Sequence, residues 1–171
     1  RDPFLLLISD HLFLSRDAKR RCAEQLISLA SREQCPVSAV HPTHEHLIGR
    51  YGTFAGKRVP NLPGVYLVER VIEKPAVSQA EIHLSTSGLR AGYYLCSFGQ
   101  HVLVPAVFEI LEEQAGARAG GAPLELTPAL QELARRGRYL MLEIEGTRFD
   151  IGRRFGLLRS QIALSLAETL L

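Results

Sequence analysis

At 171 residues the chain is one domain of ordinary size, long enough to bury a core without disulfide or metal staples. Twenty Lys and Arg against 18 Asp and Glu leave a formal charge of +2, too little for a nucleic-acid groove or an anionic membrane surface, so an anionic ligand has to be met locally. Hydrophobic residues at 46% and charged ones at 22% exclude a disordered, fibrous or coiled-coil chain.

The chain opens Arg1-Asp2-Pro3 and runs straight into Phe4-Leu5-Leu6-Leu7-Ile8, with no initiator Met, and so reads as a piece of a longer protein. That apolar run is far short of the ~20 residues of a membrane span, and no signal peptide is visible. It reads instead as a central strand buried on both faces, closed by Ser9-Asp10. Ala18 to Gln34 spaces Cys22, Leu26, Leu29 and Ala30 as one helical face, and Val37 to Val40 is a short strand, which together predict a parallel strand-helix-strand crossover. His41 to Gly64 is rich in Gly, Pro, His and Thr and reads as a hairpin and loops outside the core.

Val65 to Lys74 is a long strand stopped by Pro75, and Ala91 to Phe98 is an aromatic strand followed by a helix over Pro105 to Glu113. The small residues from Gly116 to Pro123 predict a mobile surface loop. Thr127 reads as the N-cap of a helix with Pro128 at its first position and Gly137 at its end. Tyr139 to Glu145 is a strand, and Phe155, Leu158, Ile162, Leu166 and Leu170 form a stripe that packs a terminal helix on the sheet. The expected fold class is α/β, a mixed and mostly parallel sheet with helices on both faces. Cys22, Cys35 and Cys96, an odd set without CxxC spacing, argue against a disulfide framework and for a reducing, cytoplasmic setting.

Several residues could carry chemistry. Asp10 closes a strand, where open α/β sheets place ligands, and Asp150 again lies between a strand and a helix. Either reads as a turn or helix cap by itself, but two aspartates at equivalent positions suit a divalent cation bridging phosphates. Glu73-Lys74-Pro75 ends the longest strand in a chain with three lysines and seventeen arginines. The ammonium can meet a phosphate and the carboxylate a sugar hydroxyl, or the two form a surface ion pair worth little. His41, His44 and His46 have no completing ligand set for zinc and read as solvated loop histidines, while Cys22 and Cys96 read as core thiols.

Six segments, Phe4 to Asp10, Tyr51-Gly52, Val71 to Pro75, Ala91 to Tyr94, Leu126-Thr127 and Asp150-Ile151-Gly152 with Phe155-Gly156, together resemble the bacterial UDP-glucose pyrophosphorylases among the sugar-nucleotide nucleotidyltransferases. The resemblance implies the carboxyl-terminal two-thirds of that fold, residues 1–171 being a partial nucleotidyltransferase domain that lacks the amino-terminal glycine-rich phosphate loop. It implies Asp10 and Asp150 as ligands of Mg²⁺, with Asp10 also in the catalytic centre, Gly52, Glu73, Ala91 and Gly92 as sugar-contacting positions, and Lys74 as the catalytic lysine on the sugar phosphate. The implied reaction forms UDP-glucose and pyrophosphate from UTP and glucose 1-phosphate, with no nucleic acid or membrane partner. A thymidylyl-transferring relative and a non-catalytic binding or assembly module are the alternatives, and a homo-oligomer stays open.

Overall fold

The periodic segments form the elements that their patterns suggest, and two short strands appear where no pattern announced them. The computed structural model describes residues 2–117 and 123–168. In chain order these are β1 (Phe4–Leu7), β2 (His11–Ser15), α1 (Cys22–Glu33), β3 (Val37–His44), α2 (Glu45–Ile48), β4 (Thr53–Arg58), β5 (Val65–Ile72), α3 (Val77–His83), β6 (Tyr93–Leu103), α4 (Ala106–Gly116), α5 (Leu126–Arg136), β7 (Leu140–Glu143), β8 (Gly146–Asp150) and α6 (Gly156–Glu168).

Strands β1-β6-β3-β7-β5-β4 form one sheet, and β4 returns to β6 through Thr53 opposite Cys96 and Phe54 opposite Leu95, so that all but β1 close into a ring. The α/β class and mixed sheet stand, but the mostly parallel sheet does not: among the described residues only β3 and β7 pair in parallel. The reason is connectivity. The short link from β4 to β5 makes a hairpin, which can only be antiparallel. The long β6 runs antiparallel to β1, β3 and β4 alike. Gly99, at φ 89°, bends β6 between the part that pairs with β4 and the part that pairs with β1.

The expected crossover is corrected in the same way. β1 and β3 share a direction, yet β6 lies between them. β1 is therefore not central: among the described residues it pairs with β6 alone, and Leu5 and Leu7 are 36% and 47% exposed. A continuous apolar run cannot reveal how many neighbours a strand has.

Helices cover both faces of the sheet. On one, Val107 and Ile110 of α4 and Leu130 and Leu133 of α5 pack on Phe54, Val68, Val71, Leu95 and Met141. On the other, Cys22, Leu26, Leu29 and Ala30 of α1 pack on Val37, Val65, Phe98 and Leu140. Each fully buried Val, Leu, Ile, Phe or Met among them contributes about 1.5–3 kcal/mol. The stretch read as coreless loops contains Ile48, Phe54 and Ala55, all buried, because the β signals at Tyr51 and Lys57 merge into β4. α6 corrects another expectation: Leu158, Ile162 and Leu166 are 54%, 53% and 64% exposed, so the stripe does not pack on the sheet. Leu170 and most of the loop expected from Gly116 to Pro123 lie outside the described residues.

Candidate functional site

A two-stranded ribbon of β2 and β8 places His11 directly opposite Asp150, and Asp10 is the residue before His11. The Ile151 amide donates to the Asp10 carbonyl at 2.9 Å, which holds the two strand ends together. Gly152 shows how close the carboxylates come, because a Cβ there would lie 3.4 Å from both Asp10 Oδ2 and Asp150 Oδ1. Ligand atoms of Asp10, His11 and Asp150 all lie within 4.8 Å of one another. Burial, then the Arg148 guanidinium, holds the His11 imidazole below its ordinary pKa against the opposing pull of Asp10 and Asp150.

The facing wall comes from the start of β4, the end of β5 and the start of α5. Glu73 Oε2 accepts a hydrogen bond from Thr127 Oγ1 at 2.5 Å, and Glu73 Oε1 lies 3.4 Å from Lys74 Nζ. Thr127 is thus not a cap: Glu125 occupies the N-cap, and the Thr127 hydroxyl serves Glu73 instead. Gly52 fits this pair closely, since a Cβ there would stand 3.1 Å from Glu73 Oε2 and 3.2 Å from Thr127 Oγ1. Lys74 adopts a left-handed backbone at φ 42°, with its amide donating to the Tyr51 carbonyl at 3.2 Å. Arg148 lies over the Tyr51 ring, 3.9 Å from its centroid, and donates to the Ser97 carbonyl.

These walls enclose an open cleft of about 430 Å³, lined among others by Asp10, His11, Arg50, Gly52, Glu73, Lys74, Thr127, Arg148 and Asp150. Distant segments are brought together as a shared site requires. Ala91 and Gly92 do not line it: Gly92 turns at φ 75° beside α2, where its carbonyl accepts from the Glu45 amide at 2.9 Å. His11, Arg50, His101, Glu125 and Arg148 are titratable cleft residues that sequence reasoning missed. Neither His11-Leu12-Phe13-Leu14 nor Thr147-Arg148-Phe149-Asp150 alternates cleanly, so the sequence carried no period-2 signal for the ribbon that brings them together.

The other candidates fall elsewhere. His41 and His44 belong to β3 rather than to a loop, and His44 caps α2, its Nδ1 accepting from the His46 amide and lying 2.7 Å from His46 Nδ1. No metal-ligating group includes them among the described residues. Cys22, Cys35 and Cys96 are free and buried, and burial raises the pKa of each thiol, as expected of core residues. No helix among the described residues is long and apolar enough to cross a membrane.

The fold is an α/β sheet with helices on both faces and a polar cleft gathered from strand ends and a helix start. No family model matches the chain. The UTP–glucose-1-phosphate uridylyltransferase of Streptococcus pneumoniae serotype 4 is 30% identical over 166 residues, covering 96% of this chain and 51% of that protein. That of Streptococcus pyogenes is 27% identical over 168 residues, covering 96% and 50%. The crystal structure of apo UDP-glucose pyrophosphorylase superposes with a TM-score of 0.79 at 26% identity over 98% of this chain and 55% of that one. The structure of UDP-glucose pyrophosphorylase complexed with UDP-glucose gives 0.77 at 26% over 97% and 57%. The resemblance to the bacterial UDP-glucose pyrophosphorylases therefore holds across nearly the whole chain. The chain spans about half the length of the curated relatives it matches.

Proposed function

We propose that this chain is the sugar-phosphate- and cation-binding part of an enzyme that forms UDP-glucose and pyrophosphate from UTP and glucose 1-phosphate. The observation that carries the reading is the convergence of Asp10 and Asp150 with Glu73 and Lys74 in one cleft, from three separate places in the sequence. A purely structural descendant needs no such grouping of carboxylates and a lysine. In this reading Lys74 sets a compact positive charge against the sugar phosphate. Glu73, held by Thr127, accepts from sugar hydroxyls, and the bare backbone at Gly52 lets the ring approach.

The pair of aspartates, their oxygens close to one another beside Gly152, fits a divalent cation, Mg²⁺ by the resemblance. Such an ion would supply charge neutralisation for the transferring uridylyl group and the departing pyrophosphate. The attack of a phosphate oxygen on the α-phosphorus of UTP needs no covalent enzyme intermediate, so the chain's residues act by positioning and electrostatics. Three free buried thiols suit a cytoplasmic setting. Isothermal titration of the chain with glucose 1-phosphate, glucose and inorganic phosphate in the presence of Mg²⁺ tests the reading. Glucose 1-phosphate is expected to bind more tightly than either part alone, and equal or absent binding of all three would overturn it.

A further inference from the structure

We infer that Arg148 is a positioning residue that holds Lys74 in place through Tyr51 and does not itself meet the ligand. The inference rests on the preceding reading for what Lys74 meets, not for how Lys74 is held.

Arg148 and Asp150 stand two apart on β8, so both side chains leave the same face of the strand, and both line the cleft. Arg148 reaches the opposite wall, where its guanidinium lies over the Tyr51 ring, 3.9 Å from the centroid, and donates to the Ser97 carbonyl. The Ser97 amide donates in turn to the Gly52 carbonyl at 2.7 Å, so the guanidinium is anchored on the stretch that contains Tyr51 and Gly52. On its other side Tyr51 serves Lys74. Its carbonyl accepts from the Lys74 amide at 3.2 Å and from the Thr53 hydroxyl at 3.2 Å. A single residue therefore has Arg148 against its ring and Lys74 on its backbone.

A left-handed backbone on a residue with a side chain, φ 42° at Lys74, persists only where its surroundings over-determine it. The Tyr51 carbonyl supplies that restraint only while Tyr51 itself is fixed. A guanidinium suits the task better than an ammonium, because its flat group can stack on the ring as well as attract it and still keep an N–H for a carbonyl. With its face on Tyr51 and an N–H on Ser97, Arg148 is committed to the wall. Lys74, 3.4 Å from Glu73 Oε1, is left as the cation for the phosphate.

Two measurements on the 171-residue chain test this. The first needs no ligand: the backbone ¹³C shifts of Lys74, assigned by NMR, report its left-handed conformation. Arg148→Met, which keeps most of the stem and removes the flat cation, is expected to move them toward ordinary values. The shifts of Val68, earlier on β5 and hydrogen-bonded to the Tyr139 carbonyl at 2.9 Å, should stay in place. Tyr51→Phe keeps the ring and should change neither. The second is isothermal titration. Arg148→Met should weaken glucose 1-phosphate by about fivefold or more, the scale of one cation–ring contact, and leave glucose itself unaffected. Added to Lys74→Met, it should weaken glucose 1-phosphate no further, because the two act as one unit. Should Arg148→Met not fold, Tyr51→Leu removes the other half of the stack and carries the same expectations. Unchanged Lys74 shifts in a folded variant would overturn the inference, as would shifts that move equally at Val68. Additive losses in the double variant, or full affinity in Arg148→Lys, would place the Arg148 charge on the phosphate itself and overturn it too. A wild-type chain that ignores glucose 1-phosphate overturns the sugar-phosphate reading instead, and the Lys74 shifts then decide the Arg148 assignment alone.

Discussion

Lys74 occupies a left-handed backbone conformation, φ 42°, that costs a residue with a side chain about 1–3 kcal/mol. Its amide hydrogen bond to Tyr51 fixes that conformation, and the consequence is an ammonium at the rim of the cleft beside Glu73. Replacing Lys74 by Met keeps much of the stem and removes the charge. The expected result is glucose 1-phosphate binding weaker by about tenfold or more, ~1.4 kcal/mol, with a stability change within ~1 kcal/mol because the ion pair is partly exposed. Titration and thermal melts on the same sample check this, and unchanged affinity would reduce Lys74 to a surface ion pair. Gly52→Ala probes the opposite wall. Its methyl group would press on Glu73 Oε2 and Thr127 Oγ1, which are side-chain ends able to give way, so the chain should still fold. Parting that hydrogen bond should cost about 1–3 kcal/mol in a melt and reduce sugar-phosphate affinity as well. Wild-type affinity in a folded Gly52→Ala would separate Glu73 from the sugar.

At the scale of elements, α1, β5, α4 and α5 were legible because each is anchored by buried apolar residues at regular spacing: Leu26 and Leu29, Val65, Tyr66, Val68 and Val71, Val107 and Ile110, Leu130 and Leu133. The β2 and β8 ribbon was not. Every residue of β2 is half-buried, so no clean alternation marks it, yet it is the element that brings Asp10 and His11 to Asp150. The candidate site was therefore readable as residue types at strand ends, Asp10, Glu73, Lys74 and Asp150, but not as a geometry. Thr127 shows the same limit: the residue type that caps a helix also hydrogen-bonds a carboxylate, and only the fold decides between them. Another element-level device is the buried trio in which Ser38 Oγ lies 2.5 Å from His101 Nδ1 and also hydrogen-bonds Tyr139. Burial pushes the His101 pKa down to about 4, against 6.5 for a histidine in the unfolded chain. Between those values the unfolded state binds the extra proton, so stability is full above pH 6.5 and falls as the pH drops toward 4. At ~1.4 kcal/mol per unit the loss is roughly 3 kcal/mol. Thermal melts from pH 7 to 4 should show this fall in the wild type and a flatter profile in His101→Gln. An identical slope in the two proteins would assign the acid sensitivity to other groups.

For the whole molecule, charge in the cleft limits what it can hold. Arg50, Lys74 and Arg148 bring three positive charges, and Asp10, Glu73, Glu125 and Asp150 bring four negative ones, a balance of −1. A sugar phosphate placed there without a cation meets net repulsion, so a chelator should weaken glucose 1-phosphate binding, and an added dication should restore it. A nucleoside triphosphate carries more negative charge and needs more than this cleft supplies. Such groups are commonly cradled by backbone amides of a glycine-rich loop at a helix start, and the sequence contains no Walker-type GxxxxGK[S/T] segment. The resemblance assigns that loop to the other part of the family's fold, and this chain spans about half of its relatives. The 171-residue chain supplied with UTP, glucose 1-phosphate and a dication is therefore expected to release no pyrophosphate above background in a coupled assay, while still binding the sugar phosphate. Robust release from this chain would mean that the nucleotide is held by residues described above, with Arg50 and Arg148 the first to be replaced in locating it.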